Sequence, residues 1–153
     1  MSTWVADVEP GFDEVFRLRP DLHEAYVDFA SVFWTHRLLD PIVLELCRLR
    51  VAQLLRCDAA LESRTPEAVA AGLTEDDVSA LAEWCNDARF SDKQRAALGV
   101  AEQFVLDPHG VTDEQRADVV AHFGDAGLVA LVEALAIFDG FSRFRTILDI
   151  DRG

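Results

Sequence analysis

The sequence predicts an all-α fold, a single-domain bundle of about six to eight helices. Three observations carry this. Apolar residues recur at three- and four-residue steps along most of the chain, and cap signatures open one segment after another. Strand-like alternation is nearly absent. The 153 residues fit one domain spanning 1–153, and half of them are hydrophobic, enough to bury a core without staples.

The elements follow in order. Asp21 to His36 places Leu22, Ala25, Tyr26, Phe29, Val32 and Phe33 at helical spacing, with Pro20 able to open the helix. Asp40-Pro41 gives an N-cap and a first-turn proline for a helix reaching about Leu55. That helix is apolar on more than one side, which predicts a central position. A short helix is expected over about Asp58 to Arg64, and another after Thr65-Pro66 with Gly72 as its stop. Capping-box patterns at Thr74–Asp77, Ser91–Gln94 and Thr112–Gln115 open three more, ending near Trp84, Val105 and Gly124. The last helix is read from about Leu128 to Leu148, with Gly140 inside it.

Charge and composition exclude several function classes. A net charge of -14, from 28 acidic and 14 basic residues, repels nucleic acid and anionic lipid at long range. The arginines from Arg48 to Arg56 are spread around a helix and do not form a patch. No apolar run approaches the roughly 18 residues of a membrane span. Met1 to Asp7 has neither a basic start nor an apolar signal core, so a cytoplasmic protein is expected. The stretch Gly127 to Phe138 has a single charge, which suits the bundle centre or a subunit contact; a homo-oligomer is expected.

The three cysteines, Cys47, Cys57 and Cys85, form neither a disulfide framework nor a CxxC pair. The four histidines show no metal-ligand spacing. No metal or other cofactor is expected.

The segment Leu38 to Leu54, with Glu45 and then Cys57 twelve residues on, resembles the entry helix and motif of the carboxymuconolactone decarboxylase and alkylhydroperoxidase D family. In that family the cysteine opens a CxxCxxxH motif. Here the second cysteine position holds Ala60 and the histidine position Arg64. Ala71 to Glu75, Phe90 to Leu98 and Ala101-Glu102 continue the resemblance, as does Arg143, so that it covers about 38–144. It implies the alkylhydroperoxidase D-like fold.

The departures argue against one chemistry. In the alkylhydroperoxidase branch two thiols one turn apart alternate between dithiol and disulfide, with His and Glu relaying protons. A lone Cys57 cannot close that disulfide, and Arg64 stays protonated. What remains is Glu45, Cys57 and Arg64. Positions 57 and 64 would share a face of a continuous helix, where Arg64 favours thiolate at Cys57. An arginine facing Glu45 would also suit a small carboxylate, as in the lactone decarboxylase branch. His109, two residues after Asp107, is a candidate oriented base, or else an exposed loop residue. Trp34 and His36 are weaker candidates for substrate contact.

Three functions fit these residues. One is a cofactor-independent lyase, isomerase or hydrolase for a small carboxylate or lactone, with Glu45 as acid/base and Arg64 as anchor. In the second, a non-catalytic scaffold or small-molecule binder, Glu45 and Arg64 pair and close the pocket. The third is a one-cysteine peroxidase that borrows an external thiol at Cys57.

Overall fold

The computed structural model describes residues 11–150, and among these it contains helices and no strand. In chain order the helices are α1 (Phe12–Phe16), α2 (Pro20–Thr35), α3 (Pro41–Leu55), α4 (Asp58–Glu62), α5 (Pro66–Ala70), α6 (Glu75–Ala80), α7 (Asp92–Leu106) and α8 (Asp113–Ile147). Short 3-10 turns, Leu81–Glu83 and Pro108–Gly110, follow α6 and α7.

The caps stand where the sequence put them. Asp40 Oδ1 accepts the Ile42 N–H at 2.8 Å, with Pro41 as the first helical residue. Reciprocal capping boxes form at Thr74/Asp77, Ser91/Gln94 and Thr112/Gln115.

The core is built on α3, α7 and α8. α3 buries Val43, Leu44, Leu46, Cys47, Leu49, Val51 and Ala52 around its whole circumference, as its all-round apolar character predicts. Ala97, Leu98, Val100 and Ala101 of α7 and Val119, Leu131, Ala134 and Leu135 of α8 meet it. A polar tie crosses this core: Glu102 on α7 accepts from Trp84 Nε1 at 2.7 Å and from Arg50 Nε of α3 at 3.3 Å.

Four details depart from the sequence expectation. α1 was not anticipated. It is one turn long and buries only Val15. The expected helix over Asp58 to Arg64 stops at Glu62, because Ser63 is extended (φ -101°, ψ 156°). The two helices expected on either side of Gly124 run as one element, kinked at that glycine (φ 75°, ψ 176°), a conformation open almost only to glycine. Finally, α8 is long and apolar enough to cross a membrane by length and composition, contrary to the reading of its apolar runs. Its Leu131, Ala134 and Leu135 belong to the bundle core, yet only 22% of its most apolar stretch is buried. α2 shows the same surplus: none of its residues is buried, and Leu22, Val27, Phe29 and Val32 are exposed.

Candidate functional site

Glu45 lies just over one turn into α3 and is fully buried. A buried carboxylate needs partners, and this one has four donors. Arg48, one turn on, grips it with both edges of the guanidinium: Nε to Oε2 at 2.9 Å and Nη2 to Oε1 at 2.6 Å. Thr65 supplies the others, its N–H to Oε1 at 3.1 Å and its hydroxyl to Oε2 at 3.0 Å. Thr65 is the N-cap residue of α5, but its side chain makes no cap bond; the hydroxyl is spent on Glu45 instead. Arg48 also donates to the carbonyls of Ala60 (2.7 Å) and Ser63 (2.8 Å). One ion pair thus ties α3 to the α4–α5 segment. With about four acceptor positions on a carboxylate, Glu45 has none to spare.

The expected Glu45–Arg64 pair is not formed. Because the chain is extended after Glu62, Arg64 points elsewhere: Nε and Nη2 clamp Glu75 at 2.9 and 3.0 Å, and Nη1 donates to the carbonyls of Leu61 and Ser63. For the same reason Cys57 and Arg64 do not share a helix face. Cys57 is the N-cap residue of α4, 4% exposed, packed with Ala52, Ala60 and Leu61. Cys47 is enclosed in the core, and burial pushes its thiol up to about 12. Cys85 is exposed, and all three cysteines are free.

Beside the Glu45 pair lies a cavity of about 160 Å³. Phe12, Tyr26, Phe33, Trp34, Phe138 and Phe141 give it aromatic walls, and its polar lining includes Arg48, Thr65, Ser142 and Arg145. Its volume is close to that of a cavity of roughly 150 Å³ known to hold a benzene-sized guest. Tyr26 and Phe141 are in ring contact, centroids 4.3 Å apart. Burial raises the Tyr26 phenol above its ordinary value, opposed by the positive charges of Arg145 and Arg48 and assisted by Asp13.

Of the residues singled out in the sequence, Trp34 lines this cavity, and Glu45 is one bond removed from it through Arg48 and Thr65. Cys57 and Arg64 are not on its wall. His36 is exposed at the end of α2, beside a small apolar pocket of about 50 Å³. His109 is exposed in the 3-10 turn, where Asp107 Oδ1 accepts its backbone N–H at 3.1 Å and so caps the turn. Arg143 pairs on the surface with Asp139 at 3.0 Å. Among the described residues no cluster of three His, Cys, Asp or Glu is placed to hold a metal ion. Sequence reasoning missed Arg48, Thr65, Tyr26, Ser142 and Arg145. Only Arg48 carried a local signal, its i+3 spacing from Glu45.

Comparison with known proteins bears on this geometry. Residues 20–103 match the model of the Carboxymuconolactone decarboxylase family. The uncharacterized protein YnjA of Escherichia coli strain K12 is 30% identical over 128 residues, which span 82% of this chain and 70% of that protein. A crystal structure of a protein of unknown function from Agrobacterium tumefaciens, suggested to be the antioxidant defence protein AhpD, superposes with a TM-score of 0.76 at 18% identity. That superposition covers 88% of this chain and 92% of the other and establishes a shared fold.

Proposed function

Since the chain belongs to the carboxymuconolactone decarboxylase family, we propose that it binds a small one-ring carboxylate or lactone in the aromatic cavity beside Glu45, without a cysteine redox pair. The observation that carries this is the lining itself: aromatic rings enclose a ring-sized space, and two guanidiniums, Arg48 and Arg145, reach its wall. Glu45, held by four donors, acts as the anchor of Arg48, and Tyr26, Ser142 and Arg145 add polar groups to the lining. This refines both the lyase and the binder readings of the sequence: in either case the ligand is met by the cavity, and Glu45 serves it only through Arg48 and Thr65. The one-cysteine peroxidase reading has weaker support, since Cys57 is buried among Ala52, Ala60 and Leu61 and does not line the cavity.

Calorimetric titration with benzoate and with a five-membered lactone acid tests binding, and NMR of the lactone mixture tests turnover. Saturable heats that Ala30→Trp abolishes by filling the cavity, with Arg64→Ala indistinguishable from wild type, support the proposal. No heat at millimolar concentration would sink it. A second copy of the chain is proposed to cover the apolar faces of α2 and α8. Light scattering should then give a multiple of the 17.0 kDa chain mass, and a monomer across the micromolar range would refute it.

A further inference from the structure

α1 is a poor contributor to the core, yet its first residue is placed with care. Phe12 lines the cavity and meets four other rings, those of Phe16, Tyr26, Phe141 and Phe144, at centroid distances of 5.6–5.9 Å. Its face carries the Arg145 guanidinium, with Cζ 4.4 Å from the ring centroid. Arg145 also lines the cavity. The turn is pinned to α2 by His23 Nε2 and Asp13 Oδ1 at 2.9 Å and by the edge-on contact of Phe16 with His23.

We infer that α1 is the specificity element of the cavity: Phe12 positions the Arg145 guanidinium beside Tyr26, so that the cavity selects a one-ring anion over a neutral ring of the same size. This rests on the reading that the cavity takes a one-ring ligand. An arginine on a flexible stem is a diffuse charge; laid on a ring face it becomes a directed one. Three charged groups bear on the Tyr26 phenol, Arg145 and Arg48 with positive sign and Asp13 with negative, so the hydroxyl reports on where Arg145 stands. Tyr26 is the only tyrosine in the chain, which makes that report readable by absorbance alone.

The test uses the full chain with benzoate and benzamide as probes, read by calorimetry. Wild type should prefer benzoate. Phe12→Leu, which keeps bulk but loses the ring face, should weaken benzoate about tenfold more than it weakens benzamide. Phe12→Tyr should restore benzoate binding. Equal weakening of both probes, or no rescue by Phe12→Tyr, would overturn the inference, because a plain wall residue behaves that way.

A second readout separates this from the ligand assignment. Tyrosinate absorbance is titrated with and without Arg145→Met, in the wild-type and Phe12→Leu backgrounds. If Phe12 positions Arg145, Arg145→Met raises the Tyr26 midpoint in the first background and not in the second. An equal shift in both overturns the positioning role. The predicted pattern without benzoate or benzamide binding upholds the positioning but removes the anion selection and the ligand class with it.

Discussion

Replacing Arg48 with methionine should be among the most damaging single changes in the chain. The substitution keeps a long apolar stem but removes the guanidinium, which supplies two of the four donors to Glu45 and both links to the Ala60 and Ser63 carbonyls. Glu45 is fully buried, away from bulk solvent. Leaving one charge of a buried pair uncompensated costs about 3–5 kcal/mol. The two surviving bonds from Thr65 place this case near the lower end, about 3 kcal/mol. For a chain of this size that is a fall in Tm of roughly 6–12 °C. The double variant Glu45→Met/Arg48→Met removes both charges and should lose less than Arg48→Met alone. Urea denaturation, with the slope checked for constancy, measures both of these variants and Glu45→Met alone. The pair would not be the anchor described here if Arg48→Met lost under about 1 kcal/mol, the range of exposed ion pairs, or if the two substitutions were simply additive.

Other outcomes follow from single features. With a thiol reagent such as DTNB the native protein should release one rapid equivalent per chain, from exposed Cys85, and three after unfolding; a second rapid equivalent would mean Cys57 is accessible. Stability should fall between pH 9 and about 12. Below 9 the Cys47 thiol is protonated in both states, whereas above it the unfolded chain loses the proton and the folded one retains it. The slope is at most about 1.4 kcal/mol per pH unit, and chemical denaturation of Cys47→Ala should lack that component. Gly124→Ala should destabilise by about 1–3 kcal/mol although an added Cβ meets nothing within 4 Å, because the cost is in the backbone. A neutral result would indicate that the kink relaxes to a straight helix.

Much of the fold was legible because its signals are local. Asp40-Pro41 and the three capping boxes are complete within four residues each, and α3 announced its central place by being apolar on every side. The kink at Gly124 was read as a gap between helices, since a glycine ends a helix as readily as it bends one. α1 has too few residues to show a period. The site was less legible. Glu45 was identified, but its partner was sought at Arg64, on the assumption that the chain stays helical through Ser63. One extended residue sends that guanidinium to Glu75 and leaves Glu45 to Arg48. Tyr26, Ser142 and Arg145 lie far apart in sequence and meet only through packing, so no spacing could have named them together.

The Glu45 pair also fixes which parts of the molecule are free to vary. Arg48 fastens α3 to the carbonyls of Ala60 and Ser63, so the floor of the cavity is welded to the bundle centre. The opposite side is α1, a single turn that buries one residue, and the inner face of α2, which buries none. Substitutions there can reshape the chamber without loosening the frame. On the proposed reading, ligand preference would drift through this thin outer wall while the scaffold beneath stays put.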